Sequence, residues 1–202
     1  MFQEDYVRAD AYGLISSLLA APPDQSFLKL YAARTDTKSE ADAPGAFTLQ
    51  QPDPSPYEAA LRALQDACAQ YDEAQIAQEY DALFRQPGPS VLSVAKTAEP
   101  SQAQLATLRS YLAGMGLPAI QSDGDVTRYI AAACQVMRWL LENDKPVELQ
   151  SQFFLEFAGA GVTGICDAIE ENPSASFYRA VSALARTFVE NEHAKFAAQE
   201  PG

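Results

Sequence analysis

Apolar residues return at every third and fourth position almost wherever the chain is free of proline, and that period commits the chain to helices. Tyr6, Ala9, Leu14, Leu18 and Leu19 mark a first helix that stops at Pro22–Pro23. Asp24 can then cap a second, carrying Phe27, Leu28 and Leu30. The pattern resumes after Pro56 with Tyr57, Ala60, Leu61, Leu64 and Cys68, and again from about Asp72 to Phe84 with Ile76, Tyr80, Leu83 and Phe84. Further helices are predicted from about Gln102 to Ala113 and from about Asp125 to Glu142. A shorter one covers Leu149 to Phe157, and another covers Val162 to Glu171 after the small-residue step AGAG. The last runs from about Ser174 to Lys195, opened by Pro173. No stretch alternates at period two over a useful length, and no repeat of about 20 to 50 residues is visible. The expectation is an all-α fold, a single globular helical domain of about eight to ten helices.

Two stretches interrupt the helices. Residues 35 to 56, TDTKSEADAPGAFTLQQPDPSP, are polar and proline-rich and read as a loop. Residues 85 to 101, RQPGPSVLSVAKTAEPS, read as a Pro/Gly hinge loop between an N-terminal helix group, 1 to 84, and a C-terminal group, 102 to 202. A hinge loop of this kind permits domain swapping, so both a monomer and a swapped dimer are open.

Charge narrows the partners. Acids number 27 against 14 bases, a net charge of −13, which repels nucleic-acid phosphate and anionic membrane and attracts a basic peptide or protein. The N-terminal MFQEDYVRAD holds charges and no uninterrupted apolar run. The expectation is therefore no signal peptide, no membrane-spanning segment and a cytosolic location. Cys68, Cys134 and Cys166 are widely spaced among apolar or small residues and read as reduced core thiols.

Catalytic signatures are missing. There is no GxxxxGK[ST], GxSxG or CxxC. The one histidine, His193, stands in Glu190-Asn-Glu-His193, the spacing of a di-iron ligand pair, but such a site requires a second histidine. The pair reads as a solvated polar face, with no metal and no cofactor expected. Asp123 and Asp125, around Gly124, have the types for acid–base work but read more as a loop and helix start. The expectation is a protein that is not an enzyme.

Binding is the remaining reading. Tyr80, Leu83 and Phe84 share one helix face, and Pro87-Gly88-Pro89 fixes the exit path, so the stretch suits either a core helix or the wall of a groove. Asp123-Gly124-Asp125, followed by Arg128-Tyr129, places charge and an aromatic at another helix start, which plain capping also explains.

The order of these elements resembles the TorD/DmsD family of cytoplasmic chaperones for redox enzymes. RADAYGLISSLLAAPPD, residues 8 to 24, looks like that family's first helix. EYDALFRQPGP, residues 79 to 89, is similar to its acidic-Tyr-x-x-Leu-Phe run and Gly/Pro turn. RYIAAACQVMRWLL, residues 128 to 141, QSQFFLEF, residues 150 to 157, and ASFYRAVSALARTFVENE, residues 175 to 192, resemble its later helices. The chain departs from the family at Gln86, where a glycine is usual, and at Arg128-Tyr129, where the family has Asp-His; nucleotide binding linked to that pair is left open. The resemblance implies binding of a twin-arginine signal peptide and of an apo-molybdoenzyme catalytic subunit, a formate dehydrogenase or related reductase among the clients it allows. Such a chaperone assists cofactor insertion and delays export by the Tat pathway until maturation. In that picture Tyr80, Leu83 and Phe84 take the apolar segment, beside Pro87, Gly88, Arg128 and Tyr129, while Glu79, Asp81, Asp123 and Asp125 pair the arginines. The alternative is a helical adaptor that binds a mature subunit without reading a signal peptide.

Overall fold

The computed structural model describes residues 3–33, 54–85, 101–117 and 126–198. Among these residues all regular structure is helical: α1 (Gln3–Ala20), α2 (Gln25–Ala32), α3 (Pro56–Gln70), α4 (Glu73–Phe84), α5 (Gln102–Gly114), α6 (Val126–Glu142), α7 (Val147–Phe153), α8 (Gly159–Glu171) and α9 (Phe177–Ala197). A π turn, Phe154–Ala158, joins α7 to α8, so the nine segments make eight rods. The all-α expectation holds. No helix of the described residues is long and apolar enough to cross a membrane.

Local chemistry sets several starts. Asp24 caps α2 by accepting from the Phe27 amide at 2.8 Å. Ser55 with Glu58, Asp72 with Gln75 and Ser101 with Gln104 form capping boxes for α3, α4 and α5. At two helix ends the chain turns through the left-handed region. Gly116, at φ 68°, follows α5, and Asp144, at φ 47°, follows α6. In both turns an amide reaches back five residues, Leu117 to the Leu112 carbonyl and Lys145 to the Leu140 carbonyl.

The helices from both sides of residues 86–100 share one core. Helix α1 runs antiparallel along α6: Ser16 donates to the Ala131 carbonyl at 2.8 Å and accepts from Gln135 at 2.9 Å, while Arg138 crosses Gly13 further up. Small residues permit this approach; Ala9, Ser16, Ala131 and Ala133 are all buried in or beside it. Helix α9 packs on α3, α4 and α8.

The rod from α7 to α8 corrects the sequence reading, which broke it at AGAG. Ala158, Gly159, Ala160 and Gly161 are helical, and a side chain at Gly161 would stand 3.0 Å from Ile130 of α6. The step is small because two helices touch there. The buried positions explain the π turn. Gln150, Phe154, Ala158, Val162 and Cys166 all face inward, a repeat of four. An ideal helix overshoots by about 40° every four residues, about 160° over this run. One extra residue in a π turn takes back about 100° of that drift and keeps the stripe on the core. The Glu156 carbonyl then accepts from the Gln104 side chain of α5 at 3.3 Å. Pro173 is also reassigned. It sits in a turn in which the Asn172 side chain accepts from the Ser174 amide at 2.9 Å, and α9 begins only at Phe177.

A buried ion pair joins the first and last of these helices. Arg8 donates to both carboxylate oxygens of Glu192, at 2.7 and 2.8 Å, and Tyr12 donates to the same carboxylate at 2.8 Å. Arg8 is 6% exposed and Glu192 2%. Asp5 at 3.0 Å and Gln150 at 3.4 Å take further guanidinium protons. Removing one partner strands the other charge in the interior, whereas exchanging both for apolar groups does not. Glu192→Ala is therefore expected to cost about 3 to 5 kcal/mol in denaturant unfolding. The double replacement Arg8→Met with Glu192→Leu should recover most of that loss; a double variant as unstable as the single one contradicts the pairing account.

All three cysteines are buried and unbonded. Burial pushes Cys68 and Cys166 up to about 11 and Cys134 up to about 12. The unfolded thiols ionise first, near pH 8.5 to 9, so above that range the unfolded state binds fewer protons and stability falls as pH rises toward about 11 to 12. A thiol reagent at about pH 8 should label none of the three in the native protein and all three in denaturant.

Candidate functional site

The stretch Glu79–Phe84 forms a clasp in the interior. Glu79, half-buried, accepts from the amides of Ser176 at 2.8 Å, Phe177 at 3.0 Å and Tyr178 at 2.9 Å. These are the free amides of the α9 start, which Ser176 does not cap with its own side chain. A carboxylate at a helix N-terminus meets both the open donors and the positive end of the dipole. The next residue, Tyr80, donates to the Leu19 carbonyl at 3.0 Å and the Ala20 carbonyl at 3.1 Å, closing the far end of α1. Its ring packs with Phe84 at 4.9 Å and Tyr178 at 5.7 Å. Burial pushes the Tyr178 hydroxyl well above the ordinary tyrosine range, and it donates to the Leu18 carbonyl at 3.2 Å.

Among the described residues, the apolar face expected to line a groove at this stretch is instead enclosed. Tyr80, Leu83 and Phe84 are 3%, 0% and 4% exposed and belong to the core, because they fill the space between α1, α4 and α9. Glu79 has both oxygens engaged by α9, so an incoming arginine would have to displace a helix cap. Asp81 is exposed and paired with Arg85 at 3.2 Å, a surface contact of little strength, and Arg85 also lies over the Tyr80 ring at 5.2 Å. Tyr129 is buried and its hydroxyl is pushed up to about 12, by burial first and by Glu156 second. Arg128 is exposed. The antiparallel register puts both at the end of α1 that Tyr80 closes. Pro87, Gly88, Asp123 and Asp125 lie outside the described residues.

An open apolar cavity of about 370 Å³ occurs at the opposite end of α6. Tyr111, Gly114 and Met115 of α5 and its turn, Trp139 and Leu140 of α6, and Leu149 of α7 line it, with Thr107 and Ser110 at the edge. Tyr111 is held edge-on to Phe153 at 5.0 Å, and Phe153 stacks on Phe157 at 4.6 Å. The Lys145 ammonium stands 5.0 Å from the Trp139 ring centre. Both hydroxyls at the edge are satisfied within α5: Thr107 donates to the Ala103 carbonyl at 3.0 Å and Ser110 to the Ala106 carbonyl at 3.1 Å. The cavity therefore gains most by burying apolar surface, about 1.5 to 3 kcal/mol for each large side chain that enters.

A second cavity, about 280 Å³, lies between α1, the start of α3 and α9. Its charged lining is paired internally, Arg8 with Glu192 and Lys195 with Glu4. His193 makes an edge contact with the Phe154 ring at 4.7 Å, and no group of three or more metal-ligating side chains occurs among the described residues.

Sequence reasoning missed the apolar cavity and the inward turn of Glu192. The signals were present: Trp139, Met115 and Tyr111 are large side chains close to helix ends, and Glu192 is four residues from Phe188 and Phe196 on one helical face. With Phe84 in the core, Phe84→Ala should lower stability by about 3 to 5 kcal/mol in thermal or denaturant unfolding. Tyr80→Phe, which loses only the hydroxyl, should cost about 1 kcal/mol. A Phe84→Ala protein of unchanged stability contradicts the interior placement. Comparison of the chain with family models, with curated proteins and with solved structures found no match.

Proposed function

We propose that this protein is a cytoplasmic chaperone of the TorD/DmsD kind, binding the twin-arginine signal peptide and the apo form of a molybdoenzyme until its cofactor is in place. The reading is one of binding and not of catalysis. The observation that supports it most is the combination of an open, mainly apolar cavity with a strong net negative charge, −13 over the chain. A twin-arginine leader has a basic head and an apolar run, so it meets both properties. The all-helical fold and the order of the stretches at 8–24, 79–89, 128–141, 150–157 and 175–192 are consistent with the same reading.

The adaptor reading has one observation in its favour. Lys145 places a cation over the ring of Trp139, which lines the apolar cavity, and Glu79 is committed to α9 and does not face that cavity. A helix of a mature subunit would fit such a surface without needing a basic head.

Calorimetry with a twin-arginine leader peptide and its Lys-Lys variant separates the two readings. The chaperone reading predicts saturable binding of about 8 kcal/mol, in the micromolar range, and clear weakening for Lys-Lys, because only arginine offers the planar fork that two carboxylate oxygens match. Equal affinity for both peptides favours the adaptor, and no binding of leaders from several molybdoenzymes rejects the chaperone.

A further inference from the structure

The geometry points to the cavity between α5, α6 and α7 as the seat of the apolar run of a leader peptide, with the peptide's basic head held outside it. This assignment rests on the chaperone reading and gives it a location other than the stretch at residues 79–89. The lining chooses the occupant. Tyr111, Met115, Trp139, Leu140 and Leu149 offer rings and aliphatic surface, and the two nearby hydroxyls already serve their own helix. A polar group entering here would lose water and find few partners on a lining that is mainly apolar. Lys145 already stands on the Trp139 ring, so a second cation is repelled from the same face. A neutral apolar segment meets neither obstacle. Met115 and the half-exposed Trp139 suit a ligand whose sequence varies, since a flexible thioether and a broad ring adapt to different side chains. A second copy of this chain is the weaker fit, because two bodies of charge −13 repel each other.

Two accidents of the sequence make the cavity testable. Trp139 is the chain's only tryptophan, so its emission reports on this cavity alone. Gly114 lines the cavity from the last turn of α5, and a side chain built on it meets nothing within 4 Å. A leucine there fills the cavity and not the core.

The experiment titrates the wild-type protein, Gly114→Ala and Gly114→Leu with two tryptophan-free synthetic peptides. One carries an Arg-Arg head and a leucine-rich run, and the other is the leucine-rich run alone. Calorimetry and Trp139 emission are read together, and the melting temperature of each variant is checked. The inference expects both peptides to shift Trp139 emission to the blue. It expects Gly114→Leu to bind at least tenfold more weakly at an unchanged or higher melting temperature, and Gly114→Ala to bind as the wild type does. Heat of binding for the Arg-Arg peptide with no Trp139 response, undiminished in Gly114→Leu, overturns the location while the chaperone reading stands. A Trp139 response to the apolar run with no gain from the Arg-Arg head keeps the location and removes the chaperone reading. Silence of Trp139 toward both peptides overturns the location, and an emission that shifts with protein concentration alone puts a second copy in the cavity and overturns it as well.

Discussion

The contact between Arg8 and Glu192 connects residues 184 positions apart and settles how the helices close on one another. Two charges that have left water are tolerated only when each meets the other squarely, and here both carboxylate oxygens and most guanidinium protons are used. That demand fixes the rotation of α1 about its axis. With Arg8 turned to α9, Ser16 and Gly13 must face α6, and the small residues of both helices let them lie close. Tyr12 takes part in the ion pair through its hydroxyl and in the apolar core through its ring, edge-on to Phe188 at 4.7 Å. Orientation, more than net energy, is what a buried pair of this kind supplies, since apolar side chains of similar volume would hold the helices together without specifying their angle.

Acidic residues elsewhere perform a related task at helix ends. Glu73 of α4 accepts from the Gln25 amide at 3.0 Å at the start of α2, and Glu79 of the same helix closes the start of α9. One short helix thus satisfies open donors on two others. Part of the acid excess that suggests a basic ligand is therefore internal architecture. The acids at 79 and 192 are removed from the pool that a peptide could meet, while Asp81 stays on the surface.

The fold class was legible because apolar spacing near 3.6 needs no tertiary knowledge, and the helix start capped by Asp24 was legible because its cap is local. Failures came where the determining partner is distant in sequence. Nothing near Gly161 says that Ile130 will lie against it, so AGAG reads as a break. Nothing near Phe177 says that Glu79 will cap it, so Pro173 is taken as the opening of α9. The apolar face of the candidate site was ambiguous for the same reason. Tyr80, Leu83 and Phe84 show one apolar face, and a face is core or groove according to what lies opposite. Here that is Tyr178 and the end of α1, known only from the assembled chain.

The two ends of α6 consequently carry different meanings. At its start, Val126, Tyr129 and Ile130 are enclosed, and hydroxyls such as those of Tyr80 and Tyr178 find carbonyls to bond. At its other end, α5 and α6 both finish in left-handed turns, and the described residues between them line an open apolar cavity. Glycine is about 1 kcal/mol poorer than alanine inside a helix, and no described neighbour of Gly114 requires its lack of a side chain. At Gly13 and Gly161 the absent side chain makes room for Arg138 and Ile130; at Gly114 no described neighbour comes within 4 Å of that room.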